Sequence, residues 1–250
     1  MPPHPSRPGR HARSAFLLLA LPLLLPSAAR AADPDVPNAI HFEPGPAQSF
    51  LRRDLDRFAT PSSLRLLLAG SAMALAVHGE ESADRAEQWL DRPAFDGSLD
   101  LGNVWGNGAT LGAGALGLYA AGALAGDPNL RGAGSEVARS LVYTGIAVTS
   151  LKMAVGRTRP NGGAWSFPSG HTAAAFAVAP VLAARFGPKV GIPAYALAVA
   201  TGLGRMEDRK HYLSDVVAGA AIGMAVGKAV AGPNSHLVLG PSGAGVAISF

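Results

Sequence analysis

The chain has 250 residues, of which 48% are hydrophobic and 15% are charged, so it is long enough for one sizeable domain and too apolar for a disordered protein. It contains no Cys, which excludes disulfides, a thiolate nucleophile and thiolate metal ligands. The formal net charge is +4, but the first 31 residues hold four of the 21 basic residues and none of the 17 acidic ones. The rest of the chain is therefore balanced in charge, which gives no reason to expect a nucleic-acid partner.

The first 31 residues have the pattern of a secretory signal peptide. Three Arg residues precede an apolar run over residues 15–25, and Ala29-Arg30-Ala31 is a small-x-small cleavage site. The run has about 11 residues, whereas a helix that spans a bilayer needs roughly 20. We therefore expect cleavage after Ala31 and an exported, periplasmic protein, with an uncleaved membrane anchor as the alternative.

Helical patterns dominate the chain from residue 60 to residue 232. Before them, residues 32–59 form a Pro-rich lead-in that ends in an amphipathic stretch over 48–58. Apolar segments rich in Ala and Leu then recur between Gly, Pro, Asp and Asn residues, at 63–77, 109–125, 136–155, 172–186, 191–204 and 213–230. The sequence therefore predicts an all-α domain, a bundle of six to seven helices. In the tail, residues 233–250, two short apolar runs flank a Gly-rich turn and suggest a short C-terminal hairpin.

Whether these helices cross a membrane depends on the length of their uncharged runs. Most runs are short and bounded by charged residues, and only residues 101–126 are both long enough and free of charge. This run holds eight glycines, which favour close helix packing over a regular span. We expect a soluble or membrane-surface domain, with a membrane-embedded domain as the alternative.

Three clusters of residues could bind a ligand or take part in catalysis. The first lies at the end of the predicted helix over 136–155 and consists of Lys152, Arg159 and Pro160. Pro160 favours an extended conformation for Arg159, so the helix has ended there. A Lys ammonium and an Arg guanidinium that converge can bind phosphate oxygens, the first as a point charge and the second as a planar fork. Taken singly, such cations more often only compensate the negative end of a helix dipole.

Ser169, Gly170 and His171 form the second cluster, where the predicted helix over 172–186 begins. Ser169 is suited to cap this helix, and free backbone N–H groups at a helix start attract anions. Gly170 allows a ligand to approach the backbone closely. An ordinary helix cap followed by a surface His is the alternative interpretation.

Arg205, His211 and Asp215 form the third cluster, before and within the predicted helix over 213–230. His211 and Asp215 are four residues apart, which on a helix places them on one face. A carboxylate that binds one ring nitrogen fixes the tautomer and leaves the other nitrogen free to attack. A simple ion pair at a helix start is the alternative.

Together the clusters resemble the signature of the type 2 phosphatidic acid phosphatase family, which also includes bacterial nonspecific acid phosphatases and vanadium haloperoxidases. The first motif of that family is Lys, six residues, Arg-Pro; the second is Pro-Ser-Gly-His; the third is Ser-Arg, five residues, His, three residues, Asp. The matching residues are Lys152, Arg159 and Pro160, then 168–171, then Arg205, His211 and Asp215. Gly204 departs from the pattern, because the family usually has Ser there.

The resemblance implies a phosphatase whose active site lies at helix ends. Lys152, Arg159 and Arg205 are then expected to bind the non-bridging oxygens of a phosphate group, and Ser169 and the N–H of Gly170 to assist them. These cations neutralise the charge that the transition state spreads over those oxygens.

The resemblance also implies a phosphohistidine intermediate. His211 is expected to attack phosphorus, Asp215 to orient His211, and His171 to protonate the leaving oxygen and then to activate water. No metal or other cofactor is implied, and vanadate is expected to inhibit as a phosphate mimic.

Two other functions are alternatives to phosphate ester hydrolysis. The first is a vanadate-dependent haloperoxidase, and the second is a catalytically silent protein that binds phosphate or lipid phosphate, suggested by Gly204. The expected partner is a phosphate ester, namely a lipid phosphate, a lipid diphosphate or a small soluble ester, with membrane contact as a further expectation. From sequence alone we expect Gly204→Ser to be neutral or mildly activating.

Overall fold

The computed structural model describes residues 46–78, 98–231, 236–240 and 243–247. Within these ranges lie eight α-helices and one two-stranded antiparallel sheet. The helices are α1 (Pro46–Phe58), α2 (Pro61–Ala76), α3 (Ser98–Trp105), α4 (Gly108–Ala125), α5 (Pro128–Val155), α6 (Gly170–Phe186), α7 (Pro188–Glu207) and α8 (Leu213–Ala231). The strands are β1 (His236–Gly240) and β2 (Gly243–Ala247). The predicted signal peptide over residues 1–31 and the lead-in before residue 46 lie outside the described residues.

The predicted all-α bundle is confirmed, and the C-terminal hairpin is present, with His236 opposite Ala247. One helix among the described residues, α3, was not predicted, because its eight residues mix apolar and polar side chains and form no long apolar run. It also divides the uncharged run over 101–126, since residues between α3 and α4 break the helix.

Helix α5 begins two turns earlier than predicted because its start carries a cap. Asp127 precedes the helix, and its Oδ1 accepts hydrogen bonds from the backbone N–H groups of Asn129 (2.8 Å) and Leu130 (3.2 Å). Pro128 occupies the first turn, where a missing N–H group has no consequence. The helix ends at Val155, and the next residue, Gly156, has a φ of 59° in the left-handed region.

Helix α6 lies at the centre of the bundle and packs against α5, α7 and α8. Most of its side chains are buried, and they are small, chiefly Ala and Val. Small side chains allow neighbouring helices to approach closely, which increases van der Waals contact between backbones. The residues at the two ends of α6 are therefore held firmly with respect to its neighbours.

Three glycines of α8 set its distance from α6. Gly219, Gly223 and Gly227 recur every four residues, and a Cβ atom at each would lie only 2.1–2.5 Å from a backbone oxygen of α6 or of Ser169, the residue before it. Any larger residue would push the two helices apart. The contact at Gly219 is to Ser169, so this packing also fixes the start of α6 beside the start of α8.

Two helices of the described chain are long and apolar enough to cross a membrane, namely α4 and α8. They differ in burial, since 17% of α4 is buried inside the protein against 72% of α8. Helix α8 thus has the character of a core helix, whereas α4 exposes large apolar side chains such as Leu116 and Leu124. The sequence analysis recognised only the region of α4, because α8 carries Asp215 and Lys228.

Candidate active site

The three predicted clusters meet at one end of the bundle, where two connections between helices lie side by side. One connection joins α5 to α6, and the other joins α7 to α8. The backbone N–H of Asn161 in the first donates to the carbonyl of Arg209 in the second, at 3.0 Å. The N–H of Ser169 donates to the carbonyl of Asp215, also at 3.0 Å. These contacts bring residues that are distant in sequence to a single site.

Lys152 lies in the last turn of α5, next to the connection that follows. Its Nζ donates to the carbonyl oxygen of Trp165 at 2.6 Å. Burial, together with the positive charge of Arg159, lowers the pKa of Lys152 to about 8, although the carboxylate of Asp215 acts in the opposite direction. Lys152 is therefore a cation at neutral pH that loses its charge in mildly alkaline solution.

Arg159 and Arg205 both keep an N–H donor inside the site. The Nε atom of each is buried and has no hydrogen-bond acceptor within the part of the chain that the structure describes. Buried donors normally have partners, so two such groups at one place point to an anion that accepts from them. The arrangement fits the predicted role of these residues in binding phosphate oxygens.

Arg205 is held by two residues that the sequence did not single out, Asn103 and Asp208. Its Nη1 donates to Asn103 Oδ1 at 3.0 Å and lies 3.1 Å from Asp208 Oδ2. The side chain of Asn103 comes from α3, and its Nδ2 reaches the same carboxylate oxygen at 3.4 Å. One guanidinium nitrogen is thus fixed by protein while Nε is left for a ligand.

Gly204 makes room for this arrangement. A Cβ atom at position 204 would lie 3.0 Å from Asn103 Oδ1 and 3.0 Å from the carbonyl oxygen of Leu99. Both distances are tighter than ordinary van der Waals contact. The family usually has Ser at this position. In this chain Gly204 leaves space for the side chain of Asn103, which contacts Arg205.

Ser169, Gly170 and His171 lie at the start of α6, as predicted, with Ser169 in the N-cap position. The Ser169 hydroxyl contacts the Thr172 hydroxyl at 2.9 Å and makes no capping bond. A Cβ atom at Gly170 would meet the side chain of Lys152 at 3.9 Å, so the helix start faces the end of α5. This places backbone N–H groups and a helix dipole beside the cations.

The pKa of His171 is lowered by burial and, because all three clusters lie close together, by residues of the other two clusters. Burial lowers it, and the positive charges of the surrounding groups lower it further, to about 4. The groups that act on it, from the strongest to the weakest, are Arg205, His211 in its protonated form, Arg159 and Lys152. His171 is therefore neutral at pH 7 in the unliganded protein, and a bound anion that offset those charges would raise its pKa.

His211 and Asp215 adjoin each other at the start of α8. His211 is buried and precedes the helix, and its Nδ1 lies 3.6 Å from Asp215 Oδ2. This separation is longer than a hydrogen bond, and such contacts often tighten when substrate binds. Burial keeps the pKa of His211 below its ordinary value despite the nearby carboxylate, so the ring is neutral at pH 7.

Asp215 is fully buried, and both of its carboxylate oxygens accept hydrogen bonds. Its Oδ2 accepts from Ser166 Oγ at 2.5 Å and from the backbone N–H of Tyr212 at 2.9 Å. Burial opposes its ionisation, but the contact with His211, the charge of Arg157 and these hydrogen bonds outweigh that effect and hold the pKa of Asp215 below its usual range. The carboxylate is therefore charged at any pH near neutrality.

Arg157 contacts the candidate site, and the sequence analysis did not single it out. Its Nη1 donates to Asp215 Oδ1 and to Ser214 Oγ, each at 2.8 Å, and its guanidinium stacks 3.9 Å from the centre of the Tyr212 ring. It lies two residues before Arg159, yet it faces the carboxylate and not the phosphate-binding donors. The sequence could have indicated Arg157 only as a third positively charged residue in the segment 152–160.

The arrangement can bind an anion, supply a neutral imidazole as a nucleophile and provide a second imidazole for proton transfer. His78, to which the sequence gave no role, follows the end of α2 and lies near this site, since Arg157 and Asp215 both affect its pKa. Within the described ranges, no group of three or more His, Asp or Glu side chains is placed to hold a metal ion.

Comparison with known proteins agrees with the predicted resemblance. The sequence model of the PAP2 superfamily matches residues 134–232. Among curated proteins, the lipid A 1-phosphatase of Porphyromonas gingivalis is 40% identical to this chain over 95 residues, which are 36% of this chain and 21% of the relative. The match thus spans about a fifth of the relative's length.

Among solved structures, a transmembrane PAP2 type phosphatidylglycerolphosphate phosphatase from Bacillus subtilis resembles this chain with a TM-score of 0.48 and 21% sequence identity. The superposition covers 66% of this chain and 91% of that protein. The family segment over residues 134–232 contains every candidate site residue predicted from the sequence.

Proposed function

We propose that the protein, whose residues 134–232 match the sequence model of the PAP2 superfamily, hydrolyses phosphoric monoesters through a phosphohistidine at His211, without a metal. The observation that supports this most strongly is the contact of the buried His211 with the charged Asp215, beside two Arg side chains that retain buried N–H donors. A neutral imidazole next to an anion-binding group is what an attack on phosphorus requires.

Substrate binding relies on three cations. The phosphate oxygens accept from Nε of Arg159 and of Arg205, and the ammonium of Lys152 adds a third positive charge. The N–H groups at the start of α6 contribute further donors. As the transition state spreads negative charge over the non-bridging oxygens, these fixed groups stabilise it without rearrangement.

His211 attacks in the first step. Asp215 accepts from the protonated Nδ1, so Nε2 carries the lone pair that forms the N–P bond. The P–O bond to the leaving group breaks, and the departing oxygen takes a proton from His171. The positive charge that develops on His211 is balanced by Asp215, which stays ionised because of Arg157.

Water completes the cycle in the second step. Neutral His171 takes a proton from a water molecule as its oxygen attacks phosphorus, and the N–P bond breaks to release phosphate and neutral His211. His171 must be protonated when the first step begins, although its pKa is about 4 in the unliganded protein. The negative charge of the bound phosphate ester offsets the surrounding cations, which raises the pKa of His171 at that moment.

The substrate that we propose is a phosphate ester with an apolar body, and the protein acts at the periplasmic face of a membrane. The curated relative is named for lipid A, a lipid phosphate. The exposed apolar side chains of α4 provide a surface suited to contact with lipid. Export follows from the predicted signal peptide.

Phosphate release by the purified full chain tests the proposal. We expect release from p-nitrophenyl phosphate and from a lipid phosphate, inhibition by vanadate, and little change in the presence of a chelator. His211→Ala should abolish release, while the matched variant His236→Ala, outside the family segment, should not. Activity that disappears in chelator and returns with a divalent metal would contradict the mechanism. A wild-type protein that binds phosphate but releases none would instead be a binding protein.

A further inference from the structure

A groove of about 640 Å³ runs between α4 and α5 and reaches the phosphate-binding residues. Lys152, Gly170 and His171 line the end of the groove nearest the site. Leu116 and Ala138 line the other end. Between them the walls are almost entirely Gly, Ala, Leu and Val. The groove therefore connects a polar anion site to an apolar channel.

The length of the groove follows from its lining residues on α5. These residues lie at positions 138, 141–142, 144–145, 148–149 and 152, one or two in each helical turn, so they form one face of the helix. At 1.5 Å per residue this face is about 21 Å long. One leaflet of a bilayer has a hydrocarbon thickness of about 15 Å, half that of the whole core. The groove is thus long enough for the polar body of an amphiphile and the first part of its hydrocarbon chain.

Glycines keep the middle of the groove open. Gly112 of α4 and Gly145 of α5 both line it, and a Cβ atom added at either would have no heavy atom within 4 Å. These glycines are not required for close helix packing, unlike those of α8. A larger side chain at either position has space available to it and would enter the groove.

Thr144 is an independent sign of a ligand. It lines the groove and is 2% exposed, yet its Oγ1 has no hydrogen-bond partner among the described residues. A buried hydroxyl without a partner is costly, because burial removes its hydrogen bonds to water. An oxygen of a ligand in the groove would satisfy it.

We infer that the groove binds the hydrocarbon tail of the substrate, with Gly112 and Gly145 determining the width available to the tail and Thr144 donating to an ester oxygen of its body. This inference rests on the proposed function, since it assumes that the phosphate end is held by Lys152 and its neighbours. It assigns the specificity for the tail of the substrate to residues of α4 and α5.

The test measures kcat/KM for straight-chain alkyl phosphates of increasing length, each below its micelle concentration, and for p-nitrophenyl phosphate. Wild-type kcat/KM should rise with chain length. In the series Gly145→Ala, Gly145→Val and Gly145→Leu, the preferred chain should become progressively shorter. For the longest chain, Gly145→Leu should lose at least about tenfold, since one methylene in an apolar pocket changes kcat/KM by roughly 10- to 200-fold. Hydrolysis of p-nitrophenyl phosphate should change by less than about twofold, because its small ring does not reach Gly145.

Gly117→Leu is the matched control, because Gly117 of α4 also has open space around it but does not line the groove. This variant should have the wild-type kcat/KM for the long-chain alkyl phosphate and for p-nitrophenyl phosphate. An equal loss of long-chain activity in Gly117→Leu would overturn the inference and assign binding to the outer face of α4. Equal losses on both substrates in Gly145→Leu, or no dependence on chain length in the wild type, would also overturn it. Failure of the wild type to cleave any of these esters would instead contradict the proposed function.

The role of Thr144 is tested by Thr144→Val, which preserves shape and removes the hydroxyl. Wild-type protein should prefer an acyl ester of glycerol phosphate to an alkyl phosphate of equal length, and Thr144→Val should reduce that preference at least about threefold, a conservative value for one hydrogen bond. An unchanged preference would remove Thr144 from the inference.

Discussion

The two sides of the site are built differently. On the nucleophile side, defined by Arg157, Ser166, His211 and Asp215, the carboxylate is fully buried and accepts from a guanidinium, a hydroxyl and a backbone N–H. On the phosphate side, defined by Lys152, Arg159 and Arg205, two buried N–H donors have no acceptor within the described ranges. The fold alone satisfies the groups of the first side, whereas in the proposed mechanism the substrate supplies the acceptors on the second. Changes to the first should therefore reduce stability, and changes to the second should reduce activity alone.

The largest expected effect is a decrease in the free energy of unfolding in Arg157→Ala. Removal of one partner from a buried ion pair leaves an uncompensated charge and costs about 3–5 kcal/mol of unfolding free energy. Asp215 is fully buried and pairs with Arg157 at 2.8 Å. Denaturant unfolding of the variant and of the wild type measures the difference. Unfolding free energies within about 1 kcal/mol of each other would contradict the division into two sides.

Arg159→Ala is the matched variant on the phosphate side. It should reduce kcat/KM by about 100- to 1,000-fold, the usual effect of losing one fixed donor to a developing oxyanion. Its unfolding free energy should change by less than about 1 kcal/mol, because Nε of Arg159 has no protein acceptor among the described residues. Steady-state kinetics and unfolding are measured on the same preparation. A destabilisation as large as that of Arg157→Ala would contradict the account.

Lys152 should produce an alkaline limit to activity. Its charge is present below its pKa of about 8 and is lost as the pH rises through that value. Since kcat/KM reports the free enzyme, it should fall about tenfold for each pH unit above 8. Substrate stabilises the ammonium, so the corresponding fall in kcat should lie at higher pH. Lys152→Arg, which keeps its charge, should remove this limb. An alkaline limb that persists unchanged in Lys152→Arg would assign it to another group.

A smaller effect is expected for Gly204→Ser, and the structure reverses the expectation from sequence. A Cβ atom there would press on Asn103, which positions Arg205. We expect a decrease in kcat/KM of about fivefold, or roughly 1 kcal/mol. The double variant with Asn103→Ala should show a smaller additional loss than the two single variants predict, because both changes act through the same contact. Activation by Gly204→Ser would show that Asn103 does not position Arg205.

Residue pattern and family resemblance together predicted the fold class, the hairpin and the three clusters that the structure brings to one end of the bundle. The short motifs were sufficient because each one combines a helix end with a charged or titratable side chain. The start of α5 was misplaced, although Asp127 and Pro128 form a recognisable cap, because Gly132 and Gly134 in the first turns of the helix weaken the helical pattern.

The supporting residues could not be predicted, because their partners are distant in sequence or depend on side-chain direction. Asn103 lies on α3, which has no apolar run, and contacts Arg205 from the other half of the chain. Arg157 and Arg159 are the same residue type two positions apart, and only the path of the connection after α5 separates their roles. The groove between α4 and α5 was equally hidden, since its glycines suggested close packing.

The most direct test of the central claim is to trap the phosphohistidine in His171→Ala with p-nitrophenyl phosphate. This leaving group departs without an acid, but hydrolysis of the intermediate still needs the base that His171 provides. Rapid mixing should therefore show release of about one equivalent of nitrophenol followed by a stall, as expected for an accumulating covalent intermediate. Acid-labile phosphate should appear on His211. His211→Ala should show neither burst nor label. A burst with label on another residue, or equal slow turnover of alkyl and nitrophenyl phosphates with no burst, would contradict the assignment of His211 as nucleophile and His171 as acid and base.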